Sequence, residues 1–261
     1  MIELDKVRRT YGNKVAVAGL DLKVDSGELF AFLGPNGAGK TTTIKMLVGL
    51  LRPSSGTLKV CGYNVVDQSR EANHLLGYVP DEPYLYDKLT GREFLQFVGD
   101  MHGLSNSEIQ LRTDREIANF ALHEFVDELS ENYSHGMKQR LAFAASLMHD
   151  PAVLIVDEPM VGLDPRSARL VKDLLRRKAS EGTTVFMSTH SLAVAEEISD
   201  RIGVVDRGKL RFLGTLADLR FRLAQEQTSL EDLYLALTSQ AADESDAHLP
   251  ADADVETPVN D

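Results

Sequence analysis

Eight consecutive residues constrain this chain more than any others: Gly34-Pro35-Asn36-Gly37-Ala38-Gly39-Lys40-Thr41. They match G-x-x-x-x-G-K-[ST], a pattern that chance produces about once per hundred chains of this length. The apolar run Glu28 to Leu33 leads straight into the loop. Lys40 to Leu51 follows it, with Ile44, Leu47, Val48 and Leu51 at helical spacing and Gly49 and Pro53 marking the end. Strand, glycine loop and helix in that order form a phosphate-binding arrangement. The glycines let successive backbone N–H groups turn inward around an anion, and the helix N-terminus adds the positive end of its dipole. Gly34, Pro35, Asn36, Gly37, Ala38, Gly39, Lys40, Thr41 and Thr42 are therefore candidate nucleotide-binding residues. Lys40 would reach the β- and γ-phosphates and the Thr41 hydroxyl would ligate Mg²⁺.

A second signal comes later in the chain, at Ala152-Val153-Leu154-Ile155-Val156-Asp157-Glu158-Pro159. A buried strand that ends in two adjacent carboxylates is unusual, because such charges need a metal or a partner to stay ionised at a core edge. Asp157 suits the Mg²⁺ carboxylate of a P-loop NTPase, and Glu158 then sits where a water attacking the γ-phosphate is oriented or deprotonated.

Between these motifs, Thr57 to Val60 and Gly77 to Val79 read as strands, and Gly91 to His149 reads as helical, through Phe94–Val98, Ile109–Phe125 and Leu141–Met148. Strand-helix alternation resumes with a helix over Arg166–Ala179, a strand over Thr183–Met187 and a helix over Leu192–Ile198. Ile202–Val205 and Lys209–Leu213 look like a hairpin around Arg207-Gly208. The expected architecture is an α/β core interrupted by a helical insertion, roughly residues 85 to 150.

Composition narrows the setting. No apolar run approaches the roughly 18–20 residues that cross a bilayer, and the first twenty residues lack the apolar core of a signal peptide. Cys61 is alone, so no intrachain disulfide forms and a reducing compartment is expected; a secreted or integral membrane protein is excluded as the default. Seven acidic residues and no Lys or Arg lie between Ala241 and Asp261, more than half of the net charge of −12. With Pro250 and Pro258, that stretch reads as a disordered acidic tail over residues 239–261. The acidic balance also argues against nucleic acid as a ligand, since such affinity rests on clustered Lys and Arg.

Four further segments carry a family resemblance. Tyr133-Ser134-His135-Gly136-Met137-Lys138-Gln139-Arg140 is similar to the signature L-S-G-G-Q-[KR]-Q-R of ABC transporter ATPases. Gly162-Leu163-Asp164-Pro165 resembles their D-loop, Ser188-Thr189-His190 resembles their switch histidine at a strand end, and Tyr11 resembles the aromatic residue that stacks on adenine. From Met1 to about Thr238 the chain resembles the ATP-binding subunit of an ABC transporter. That resemblance implies a P-loop NTPase (RecA-like) core over residues 1–238, with an antiparallel β part and an inserted helical subdomain. It also implies a head-to-tail homodimer closed on two ATP molecules, in which Ser134 and Gly136 of one copy meet the γ-phosphate held by Lys40 and Thr41 of the other. Glu158 and His190 would be catalytic, and Asp164 would lie beside the nucleotide.

The signature departs from the family at Tyr133, His135 and Met137, and Asp81 stands where many members carry a glutamine that contacts Mg²⁺ and the attacking water. These departures and the closing segment Ser229 to Thr238 resemble the exporter-type subgroup, whose ATPase is separate from a multi-span membrane partner. The partner would dock near Asp81 to Tyr86 and hold the chain on the cytoplasmic face of the cell membrane. A soluble ABC ATPase working off the membrane, in DNA repair, cofactor assembly or translation, is the alternative. It is disfavoured by the absence of coiled-coil arms, a tandem second ATPase domain and a basic patch.

Overall fold

Two sheets divide the strands by how many of their faces are covered. The computed structural model describes residues 1–226; the Ser229–Thr238 segment and the acidic tail lie outside the described residues. Along the chain, β1 (Ile2–Tyr11) and β2 (Lys14–Val24) form a long hairpin, and β3 (Leu29–Leu33) leads through the glycine loop into α1 (Lys40–Leu47). Then come β4 (Ser55–Val60), β5 (Tyr63–Asn64), α2 (Ser69–His74) and β6 (Leu76–Val79). Three helices follow: α3 (Gly91–Met101), α4 (Asn106–Phe120) and α5 (His135–Leu147). The alternation returns with β7 (Val153–Asp157), α6 (Pro165–Ser180), β8 (Thr184–Thr189) and α7 (Leu192–Ile198). The hairpin β9 (Arg201–Asp206) and β10 (Lys209–Gly214), then α8 (Leu216–Glu226), close the described part.

A four-stranded antiparallel sheet has the order β2-β1-β4-β5, and a six-stranded sheet has the order β10-β9-β3-β8-β7-β6. In the first, β1 alternates buried and exposed residues along its start, the mark of a sheet with one wet face. In the second, every residue of β3, β7 and β8 is buried, as expected of parallel strands covered on both faces. One face packs Phe30, Phe32 and Phe186 against Ile44, Met46 and Leu47 of α1 and against Leu4 and Leu22 of the smaller sheet. The other packs Ala31, Leu154 and Met187 against Leu141 and Phe143 of α5 and Leu174 of α6. Through α5 the helical unit shares the core of the sheet.

Several boundaries differ from the sequence reading: α5 starts at His135 rather than Leu141, β8 runs on to Thr189, and two further differences have a local cause. The helix after the glycine loop ends at Leu47, not Leu51, because Gly49 takes a left-handed φ of +75° and turns the chain out. The second helix of the insertion starts at Asn106 and stops at Phe120, where Ala121 turns left-handed at φ +50°. Its start is fixed by a capping box, Ser105 with Glu108, and Thr90 with Glu93 does the same for α3.

Where α3 and α5 end over β6, the His102 and His149 rings stack in parallel at 3.8 Å, with the His74 ring 6.1 Å from His102. His149 Nε2 donates to Leu76 O at 3.2 Å. Burial, then the neighbouring His102, pushes the His149 pKa down from 6.5 to about 4. A depressed histidine pKa stabilises the fold above the unfolded value and withdraws that stability as pH falls towards the folded value. Between pH 7.5 and 5 the wild type should lose on the order of 2 kcal/mol from this group. Thermal unfolding of His149→Gln should show a flatter pH dependence over that window; an unchanged slope would clear His149 of any part in it.

Candidate functional site

The strands β3, β8 and β7 are parallel neighbours, with Leu33 opposite Thr189 and Asp157 opposite Ser188. The loops that follow them therefore leave the same edge of the sheet, where open α/β sheets bind their ligands. The glycine loop is pinned there from several sides. Gly34 N–H donates to Thr189 O at 3.3 Å, and Gly208 N–H, from the β9–β10 turn, donates to Ala38 O at 2.8 Å. Gly39 has φ +107°, and a Cβ at that position would lie 2.5 Å from Ala16 O of β2, so no other residue fits the loop's last turn before α1. Beside the loop opens a cleft of about 440 Å³, lined by Tyr11, Lys14, Val15, Ala16, the loop itself, Thr41, Thr42, Asp81 and Glu158. Half-exposed Tyr11 stands at its rim, with the Arg9 guanidinium 4.7 Å from the ring centroid.

Lys40 opens α1 and is buried; its Nζ donates to Gly34 O at 2.6 Å and lies 3.3 Å from Glu158 Oε1. The other Glu158 oxygen, Oε2, lies 2.9 Å from His190 Nδ1 and accepts the His190 N–H at 3.3 Å. One carboxylate thus bridges the phosphate-loop lysine and the histidine at the end of β8. Glu158 adopts φ +46°, a left-handed conformation costing a non-glycine residue about 1–2 kcal/mol. Ser188 helps to hold it: the hydroxyl accepts the Glu158 N–H at 3.1 Å and donates to Asp157 Oδ1.

The acids crowd one another. Burial first, then the charges of Asp157, Glu158 and Glu82, push the Asp81 pKa up, against a smaller opposing pull from His135. Burial, Asp157 and Asp81 push Tyr78 up to about 12, so it stays a neutral phenol beside them. Asp81, Glu158 and the Thr41 hydroxyl line the cleft and Asp157 ends the adjacent strand; together they would offer hard oxygen donors of the kind Mg²⁺ takes. Among the described residues no three acidic, histidine or cysteine groups stand close enough to cage a metal by themselves.

Ser134, Gly136 and Asp164 do not line this cleft. Ser134 caps α5, its hydroxyl accepting Met137 N–H at 3.3 Å, and Gly136 faces Leu163. Asp164 caps α6, accepting the N–H groups of Arg166 and Ser167 at 2.9 and 3.0 Å. Tyr133, the first signature departure, is buried; its hydroxyl donates to Phe125 O at 2.6 Å and accepts Gly91 N–H at 3.1 Å, tying α3 to the start of α5. Sequence reasoning missed Ser188, Arg9, Lys14 and Val15. Only Ser188 left a signal, two residues before His190 at the end of an apolar run.

Ser188→Ala leaves the buried Asp157 carboxylate short of a donor and the Glu158 N–H short of an acceptor. Chemical denaturation should report a loss of about 1–3 kcal/mol, largely restored in Ser188→Thr. A neutral alanine variant would mean that Ser188 holds neither group.

Residues 17–161 match the family described as ABC transporter. The linearmycin resistance ATP-binding protein LnrL of Bacillus subtilis (strain 168) is 39% identical over 223 residues, covering 85% of this chain and 72% of that protein. The Nod factor export ATP-binding protein I of Paraburkholderia xenovorans (strain LB400) is 39% identical over 208 residues, covering 80% and 68%. The solved structure of an ATP binding subunit of an ABC transporter superposes with a TM-score of 0.84 at 31% identity, covering 91% of this chain and 99% of that one. A cassette solved as a dimer in a post-hydrolysis state, bound to ADP and Pi, gives a TM-score of 0.76 at 25% identity, covering 83% and 99%. With its phosphate loop, its acidic strand end and its histidine gathered at one sheet edge, this chain belongs to the ABC transporter family, as an ATP-binding and ATP-hydrolysing subunit.

Proposed function

We propose that the chain powers export by binding Mg²⁺-ATP between its cleft and the signature segment of a second copy, and that it acts on a separate multi-span membrane subunit. The observation that carries the catalytic part is the Glu158 bridge, 3.3 Å from Lys40 and 2.9 Å from His190. The loop N–H groups and the N-terminus of α1 receive the phosphates, Lys40 turns its ammonium to them, and Tyr11 offers its ring to the adenine. Glu158 takes the proton of the attacking water, while His190 fixes the carboxylate and reaches the γ-phosphate. Thr41, Asp157 and Asp81 would hold Mg²⁺, which when bound neutralises charge between the β- and γ-phosphates.

Ser134 is exposed at the N-terminus of α5, away from its own cleft, and so is available to a nucleotide held by another copy. The N–H groups of that helix end would supply in trans the positive field that an arginine finger supplies elsewhere. The dimeric cassette bound to ADP and Pi supports this pairing. A membrane partner is supported by the exposed Tyr84, Tyr86 and Phe97 beside a groove of about 240 Å³ between the β6 end, α3 and α5. Among the described residues no helix is long and apolar enough to cross a membrane, so such a partner would carry the passage. The chain would then sit on the cytoplasmic face of the membrane. Export follows from relatives whose names record linearmycin resistance and Nod factor export.

Glu158→Gln should keep ATP binding, accumulate an ATP-bound dimer on size exclusion, and lose at least about 10²-fold in phosphate release. Turnover at the wild-type rate would remove Glu158 from the chemistry. Gentle solubilisation and tagged recovery from native membranes should bring down a multi-span protein in equal amount; recovery from the soluble fraction alone would overturn the transport assignment.

A further inference from the structure

Position 135, where the signature has its first glycine, carries an imidazole in this chain. His135 is the first residue of α5, and its Nε2 lies 3.2 Å from Val161 O. A carbonyl can only accept, so Nε2 carries the proton and donates. Val161 in turn donates its own N–H to Glu158 O at 3.2 Å, closing a turn from Glu158 to Val161. The next residue, Gly162, has φ +72°, and a Cβ there would come within 2.6 Å of His135 Cδ2 and 3.0 Å of Nε2. The imidazole at 135 and the bare backbone at 162 are a matched pair.

The left-handed backbone of Glu158 persists only where its surroundings over-determine it. Ser188, Lys40 and His190 hold its N–H and carboxylate from the sheet edge and the phosphate loop. Its carbonyl is held through Val161, and Val161 through His135. We propose that His135 is a positioning residue for hydrolysis: its imidazole pins the Glu158–Val161 turn to the N-terminus of the signature helix. The helix end offered to the nucleotide of a second copy thereby also sets the Glu158 carboxylate in its own cleft. His135 does not line that cleft. Its loss therefore leaves the lining of its own nucleotide cleft intact and slows the chemical step. This inference rests on Glu158 being the general base.

The test is steady-state phosphate release by the full-length protein, with the affinity for a fluorescent ATP analogue measured in parallel. In His135→Ala, kcat should fall about tenfold while KM and affinity stay within about twofold, the scale of one lost backbone hydrogen bond. His135→Asn, polar but too short to reach Val161, should lose as much. It keeps the measurement readable should the alanine variant be unstable. His135→Gln carries no charge yet offers an amide N–H at the right reach and should recover most of the rate. Wild-type kcat in both the alanine and asparagine variants, a parallel loss of affinity, or failure of the glutamine rescue would each overturn the proposal. If Glu158→Gln is inactive while His135→Ala is unaffected, only the positioning role falls. If Glu158→Gln turns over normally, the general-base assignment falls with it.

Discussion

Parallel strands deliver their loops to one end of a sheet, and in this molecule the register of β3, β8 and β7 decides which side chains meet there. Leu33 stands opposite Thr189, and Asp157 opposite Ser188, so the glycine loop, Glu158 and His190 all begin within a residue or two of the same level. A strand rises about 3.3 Å per residue and successive side chains face opposite sides, so even a one-residue slip would shift the strand end by that distance and exchange the two differently packed faces. No rotamer of Glu158 could then bridge Lys40 and His190 at 3.3 and 2.9 Å. The apolar faces of these fully buried strands thus do more than stabilise the sheet. They fix the register, and the register fixes the site.

Electrostatics at that edge follow from the same placement. Burial, and then the neighbouring charges of Asp157 and Glu158, make the Asp81 carboxyl costlier to ionise than a free one. Lys40 is buried among them with its ammonium shared between loop carbonyls and Glu158. A triphosphate entering the cleft adds negative charge to a region already crowded with it. On the proposed reading that charge is met by loop N–H groups, by Lys40 and Lys14, and by a divalent cation at Thr41 and the aspartates.

Local patterns carried the parts of this arrangement that are local. The glycine loop, the acidic end of β7, the Leu192–Ile198 helix and the β9–β10 hairpin depend on residues adjacent in sequence, and each was legible. The β1–β2 hairpin was not assigned from pattern, and its strands explain why: register shifts around Lys6, at φ +47°, interrupt the alternation that would have announced them. The six residues of α2 are too few to show a helical period. Ser188 matters through neighbours far away in sequence, as do Tyr133 and His135. The signature departures looked like degeneracy until the fold supplied their contacts. Tyr133 fills its place with a hydroxyl that links Phe125 O to Gly91 N–H, and His135 reaches Val161.

Those two contacts give the helical unit a mechanical place in the site. α5 packs into the core through Leu141 and Phe143, so its axis is set by the sheet, while its first turn is set by Tyr133 and His135. The groove proposed for a membrane subunit is lined by Phe94 and Val98 of α3 and by Ala142 and Ser146 of α5. Close-packed helices transmit a displacement as a shift of the whole element, since no void beneath them absorbs it. On the proposed reading, a load on that groove would reach the N-terminus of α5 and, through His135, the turn that holds Glu158. In the opposite direction, a second copy's nucleotide met by Ser134, as proposed, would alter what the groove presents at the other end of the same helix. Such coupling would need no separate relay, because one helix carries both the groove wall and the first turn that His135 ties to Val161.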